Sequence, residues 1–243
     1  MRMEVTLLGL ALTAVAATAC EVHVGPGEFI QGSGTVKNEP RDVHGFDRVI
    51  MDGTGMLVIT QGDTEHLVIS AEDNILPKLS SDVANGQLEL HPQSNIQLHT
   101  TQPIRYQLAV KQLKEVRLGG VGDIQANSLE ADQLDVVVAG SGNTDIRRLT
   151  ATRLTVAVSG SGTVTIAGQS TQQNVTISGS GRYRAADLKS RSADIQINGS
   201  GDCAVSVADS LNVTIAGSGN VTYVGSPTVN QTILGSGRVS KAG

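Results

Sequence analysis

Tryptophan is absent from this chain of 243 residues, and three tyrosines and two phenylalanines are its only aromatic side chains. A core without large rings has to be assembled from Val, Ile, Leu and Ala, and the aromatic platforms common in sugar-binding clefts are in short supply. Cysteine is almost missing as well. Only Cys20 and Cys203 occur, and Cys20 sits in a leader segment, so no disulfide framework holds the mature domain. There is no cationic excess either. The net charge is -5, with both signs mixed along the sequence, which leaves no basic stripe to track a phosphate backbone and argues against nucleic acid as a partner. Finally, the uncharged run from Val5 to Ala19 falls short of the ~20 residues that span a bilayer as a helix.

That run reads instead as a targeting segment. Arg2 precedes it, and it closes on small residues ending at Cys20. The stretch "AATAC" resembles a bacterial lipobox, which implies cleavage before the cysteine and attachment of a diacylglycerol to its thiol. Residues 1–19 are therefore expected to be a lipoprotein-type signal peptide, Cys20 the lipidated residue, and 20–29 a tether. The membrane becomes a partner through this anchor, and the location is the cell envelope, on the periplasmic side or on the surface of the outer membrane. The alternative is a conventional signal peptide cut nearby, with Cys20 an ordinary thiol.

What the chain has in quantity is glycine, 28 residues of it. The first glycine of each G-x-G falls at Gly32, Gly53, Gly120, Gly140, Gly160, Gly179, Gly199, Gly217 and Gly235, and from Gly120 onward the spacing is 18 to 20 residues. Two residues before each stands a large apolar side chain, among them Leu118, Val138, Val158, Ile177, Ile197 and Ile215. Four after it come Ile124, Thr144, Val164, Tyr183, Cys203 and Val221. These positions share one parity, so in strands they face one side. Period two within a copy and about 19 between copies predicts an all-β fold. The fold class is a parallel β-helix or solenoid with coils of about 18–20 residues, a right-handed sense being favoured. The domain runs over 30–243, with regular coils over 118–243.

The span from Gly55 to Gly120 lacks the marker and is long enough for about three degenerate coils. It is expected to be less regular and to cap the N-terminal end, with a turn or short helix around Ile75–Leu79 and a hairpin at Asn85-Gly86. Nine marked coils plus three degenerate ones predict an axis of roughly 45 to 60 Å at about 4.8 Å per coil.

Beyond the repeat, the sequence carries "GSGTV" (32–36), "RDVHGFDRVIMDGTG" (41–55), "VITQGDTEHLVISAEDNILPKL" (58–79) and "TTQPIRYQLAVKQLKEVRLGGVGDI" (100–124) ahead of the GSG ladder. This ordered set resembles the bacterial auto-transporter adhesin, head GIN domain family, long carried as a domain of unknown function. The resemblance implies an extracytoplasmic, solenoid-like domain, frequently lipid-anchored, and brings no catalytic residues with it.

Sites of chemistry are hard to find. "GGVGDI" (119–124) approaches a calcium-binding G-G-x-G-x-D repeat, but Arg182 and Arg238 occupy the same column as Asp123 and would repel a cation. His23, His44, His66, His91 and His99 show no metal-ligand spacing. No G-x-S-x-G elbow marks a nucleophilic serine. Asp123, Asp145, Asp187, Asp194 and Asp202 do not fall in one repeated column, as a glycosidase or lyase on this scaffold would favour. Cys203 falls in a buried apolar column and reads as a small hydrophobe. No cofactor, metal or catalytic residue is expected.

The sequence thus points to a non-enzymatic envelope lipoprotein presenting a rigid surface for adhesion, with an envelope protein or glycan as partner. The candidate surface is the outward column Ser141, Ser161, Ser180, Ser200, Ser218 and Ser236, extended by Ser33 and Thr54. Two alternatives stand beside it: a β-helix that binds or cleaves a polysaccharide, and a scaffold that assembles through the solenoid end. Gly160 and Gly162 fall on the buried parity. They are expected to mark a place where the coil is too thin for a β-carbon, or bends into angles that favour glycine.

Overall fold

The computed structural model describes residues 28–242; the expected signal peptide, Cys20 and most of the expected tether lie outside them. The tether residues that are described, Glu28 and Phe29, already belong to a strand. The N-terminal half contains β1 (Glu28–Gln31), β2 (Val36–Arg41), β3 (Arg48–Met51), β4 (Met56–Gln61), β5 (His66–Glu72), β6 (Leu79–Ala84), β7 (Gln87–Pro92), β8 (Ile96–His99) and β9 (Arg105–Val110). A 3-10 turn at Leu76–Lys78 precedes β6. The regular half contains β10 (Glu115–Leu118), β11 (Asp123–Ala126), β12 (Leu129–Val138), β13 (Asn143–Val158), β14 (Thr163–Ile177), β15 (Arg182–Ile197), β16 (Asp202–Gly217), β17 (Asn220–Gly225), β18 (Thr228–Gly235) and β19 (Arg238–Lys241). No helix among the described residues is long and apolar enough to cross a membrane.

From β10 onward the chain winds as a parallel solenoid of about six turns. Each turn lays down three strand segments. One precedes the G-x-G, as in Val116↔Val136 and Val156↔Val175. One follows it, as in Ile124↔Thr144 and Val164↔Tyr183. The third joins them, as in Leu129↔Leu149. The long strands β13 to β15 are bent rather than straight, and the ladder register shifts at Ile146/Leu149, Thr165/Gly168 and Ala185/Lys189.

The inward columns match the parity read from sequence. Val116, Val136, Val156, Val175, Ile195 and Val213 are all buried, as are Leu118 to Ile215 and Ile124 to Val221 in their own columns. At about 1.5–3 kcal/mol for each fully buried Val, Leu or Ile, these stacked aliphatics supply the driving force that aromatic rings provide elsewhere.

Three expectations are corrected. The span 55–120 does not form three degenerate coils, because the chain reverses direction within it. Asn85 (φ 53°) and Gly86 (φ 76°) make the tight turn that sets β6 antiparallel to β7, and β5 runs antiparallel to both β9 and β2. Only β7 and β9 continue the parallel stack, pairing beneath β3 and β4. Stacking order therefore departs from chain order, since β3 and β4 lie between β7/β9 and β10/β11. The antiparallel strands cover the N-terminal end.

Second, the copy marked by Gly32 is not a coil. β1 pairs with β8 alone, and a β-carbon on Gly32 would meet the Glu72 carboxylate rather than another glycine. One column consequently holds nine parallel strands, β7, β3, β10, β12 to β16 and β18, while the neighbouring column, with antiparallel β5 and β2 added beyond β9, reaches eleven strands and rises about 48 Å at about 4.8 Å per step, within the length expected.

Third, the glycines answer to neighbouring coils rather than to a thin cross-section. A β-carbon on Gly160 would collide with the Gly140 carbonyl oxygen, and one on Gly179 would stand 2.6 Å from that of Gly160. The backbones of successive turns approach too closely along the stack for any side chain. Backbone angle adds a second reason at Gly217 (φ 146°) and Gly235 (φ 147°).

Candidate functional site

Ser141, Ser161, Ser180, Ser200, Ser218 and Ser236 are all exposed, each flanked by the stacked glycines. Four of their amides bond from coil to coil: Ser141 donates to the Gly120 carbonyl at 3.3 Å, and Ser200, Ser218 and Ser236 donate to the Gly179, Gly199 and Gly217 carbonyls at 3.1, 2.9 and 3.0 Å. Thr54 extends the line, and Val121, 65 % exposed, interrupts it. Ser33 does not belong to it, because its hydroxyl donates to Asp73 Oδ1 at 2.6 Å in the N-terminal cap.

Three of the carboxylates that suggested metal or sugar chemistry, Asp123, Asp194 and Asp202, are engaged in hydrogen bonds between coils, while Asp145 lies 3.6 Å from Arg147 of its own strand. Asn143 Nδ2 donates to Asp123 Oδ1 at 2.9 Å, Asn220 Nδ2 to Asp202 Oδ1 at 3.1 Å, and Asn212 Nδ2 to Asp194 Oδ1 at 2.6 Å. Asn230 continues the last stack by donating to Asn212 at 3.1 Å. Among the described residues no three His, Cys, Asp or Glu side chains converge as metal ligands. His44 and His91 lie 3.4 and 3.3 Å from Asp42 and Asp82, and His99 stacks on Phe29.

Two buried polar arrangements escaped the sequence reading. Tyr183 donates to Gln173 Oε1 at 2.7 Å, Gln173 Nε2 donates to Ser190 Oγ at 2.9 Å, and Ser190 donates to the Ser206 carbonyl at 2.9 Å. Burial pushes the Tyr183 phenol well above its usual range, and the Cys203 thiol upward likewise. In the cap, Glu72 accepts from the Gly34 amide (2.7 Å), the Thr101 amide (3.0 Å) and the Thr101 hydroxyl (2.5 Å). These bonds, the Thr101 hydroxyl foremost, hold its carboxyl below the usual value.

A concavity also went unread. It is an open groove of about 1170 Å³ along one corner of the solenoid. It begins at Gln61 and Lys111–Lys114 and crosses the equivalent corners of the following coils at Glu130–Gln133, Thr150–Thr152, Gln169–Thr171 and Lys189–Arg191. The middle residue of each later corner is small, with Ala151, Ser170 and Ser190 buried, while Thr150, Thr152, Gln169, Thr171, Lys189 and Arg191 stand exposed on either side. Gln61 seals one end by donating to the Glu130 carbonyl (3.0 Å) and accepting its amide (2.7 Å). The sequence signal was available: a small residue recurs ten or eleven positions after the marker glycines, as Ala131, Ala151, Ser170 and Ser190.

Stacked coils, an aliphatic interior and polar lines on the outside define a β-solenoid whose usable surface is its exterior. The chain belongs to the family described as "putative auto-transporter adhesin, head GIN domain", whose model matches residues 45–227. Among solved structures it is similar to one described as a putative adhesin from Bacteroides fragilis, with 26% identity, a TM-score of 0.84, and coverage of 88% of this chain and 100% of that one. A structure from Parabacteroides distasonis described as a putative lipid binding protein aligns at 23% identity and a TM-score of 0.75, covering 89% and 100%. A putative adhesin from Parabacteroides merdae aligns at 21% identity and 0.67, again covering 89% and 100%. No curated protein matches the chain.

Proposed function

We propose that this chain is a non-enzymatic, lipid-anchored protein of the cell envelope that displays its solenoid outside the cytoplasm as an adhesion surface. The observation that carries this reading is the serine line. Small hydroxyls from Ser141 to Ser236 repeat at the coil spacing, and the amides of Ser141, Ser200, Ser218 and Ser236 are held by inter-coil hydrogen bonds. Such a surface is pre-organised, so binding a repetitive partner costs little ordering entropy. The adhesin descriptions of the family and of its structural relatives support the same role, and the lipobox-like sequence at Cys20 supplies the anchor.

The test is made in cells. A fatty-acid probe should label the wild type and not Cys20→Ser, which leaves the membrane fraction. Replacing Ser161, Ser180 and Ser200 together by alanine should lower adherence while thermal stability is kept. Unchanged adherence in that variant would remove the serine line from the interface.

Self-assembly is favoured by a separate observation. β18 pairs only with β16, and β19 only with β17, among the described residues. β18 is free of charge and proline, and Leu234 on it is 67 % exposed, which is the character of a pairing edge. The strand β2 at the other end carries Pro40 and four neighbours of mixed charge and polarity. A second copy would meet the first at β18, edge to edge. Light scattering should then show dimers that Thr232→Pro abolishes, and a monomer at every concentration would end this reading.

A further inference from the structure

No aromatic ring lines the corner groove, so a sugar cannot be held there by stacking and recognition has to run through hydrogen bonds and charge. The backbone of the groove is already committed to parallel ladders, as in Glu130↔Thr150, Thr150↔Gln169 and Gln169↔Lys189, so no peptide can add itself as another strand. What remains available is a set of side-chain hydroxyls, amides and cations repeated along the axis at about 4.8 Å, close to the rise of one pyranose in an extended chain.

The groove is lined by four cations, Lys111, Lys114, Lys189 and Arg191, and two carboxylates, Glu130 and Asp132. Lys114 is paired with Asp47, and Arg191 with Asp209 at 3.0 Å. Lys111 and Lys189 enter no ion pair among the described residues, and they occupy opposite ends of the groove. Between them lie Thr150, Thr152, Gln169 and Thr171, with Glu130 and Asp132 beside the Lys111 end. A ligand that satisfies this layout bears anionic groups at intervals, separated by neutral hydroxyl-rich stretches. A uniformly dense polyanion would press its charges against the two carboxylates.

We propose that the groove binds an extended acidic polysaccharide with spaced carboxylates, lying along the solenoid axis, with Lys111 and Lys189 on its anionic groups and the threonines and Gln169 on its hydroxyls. This rests on the adhesion reading and adds to it a second contact face, apart from the serine line. Each sugar contributes little by itself, and affinity accumulates along the polymer.

Hyaluronan, with one carboxylate per disaccharide, is the probe, against dextran as a neutral polymer and heparin as a dense polyanion, titrated calorimetrically into the full chain. The expected result is hyaluronan binding that salt weakens, with little response to dextran and a weaker one to heparin. Lys111→Glu/Lys189→Glu should lose at least tenfold in affinity with its melting temperature unchanged, and Gln196→Ala, exposed but outside both the groove and the serine line, should bind as wild type. Equal binding of dextran, heparin bound more tightly than hyaluronan, an undiminished double variant, or capture of proteins with no polysaccharide response would each overturn the proposal. The adhesion reading is scored separately, by adherence of cells carrying the same variants. Wild-type cells that fail to adhere while the purified chain binds hyaluronan would sink adhesion and leave the groove standing.

Discussion

At Gly160 the direction of the missing β-carbon points along the stack, into the carbonyl oxygen of Gly140. Any side chain has to lift one coil off the next. Gly160→Val should therefore cost about 3 kcal/mol or more, read as a lowered denaturant midpoint, while Ser161→Ala, one residue on and facing solvent, should leave the midpoint unchanged. Parity in the sequence placed Gly160 on the inner side, but it could not reveal that the obstacle is a neighbouring backbone, because that distance is a property of the stack. Glu72 offers a second test at this scale. Its carboxyl titrates below its ordinary value of 4.5 in the folded state because the Thr101 hydroxyl and the Gly34 and Thr101 amides bind its charged form. A depressed folded value means that its contribution is complete above 4.5 and is lost as pH falls through the folded value. Glu72→Gln should be less stable than wild type at neutral pH, and the gap should close in acid.

Among the elements, β14 and β15 share a polar chain that runs through the core, from Tyr183 through Gln173 to Ser190. Tyr183→Phe leaves Gln173 Oε1 without its donor inside the protein and should cost about 1–3 kcal/mol, measured by urea unfolding. Period-two alternation showed which residues of these strands face inward, Tyr183 included, yet Gln173 reads as an ordinary polar residue until the coil above places Tyr183 over it. The N-terminal elements divide in the same way. The Asn85-Gly86 turn and the 3-10 turn at Leu76–Lys78 are local chemistry and could be read directly. The antiparallel pairing of β5 with β9 and β2 joins residues 26 to 43 apart, for instance Leu67 with both Arg41 and Leu108, and nothing in either segment alone specifies it.

For the molecule as a whole, the repeat makes a coil a removable unit. Deleting residues 140–159 joins Ala139 to Gly160 and sets Gly160 over Gly120, because each glycine stacks on its counterpart one coil earlier. The shortened chain should fold, lose about 4.8 Å of length by small-angle scattering, and unfold in one transition. Removing half a coil should abolish folding, since the inward columns would then face solvent. The corner groove belongs to this scale too. Its outline depends on bends in β13 to β15 that coincide with register shifts, and a periodic reading treats those positions as equivalent turns without showing that they curve inward.

Cys203 carries a consequence of a different kind. Its thiol lies wholly inside the stack, burial holds it protonated, and no disulfide engages it. A thiol reagent can reach it only when coils part, so its labelling rate is a clock for the breathing of the solenoid. Run with and without a bound polymer, that clock would report whether occupying the exterior slows the opening of the interior.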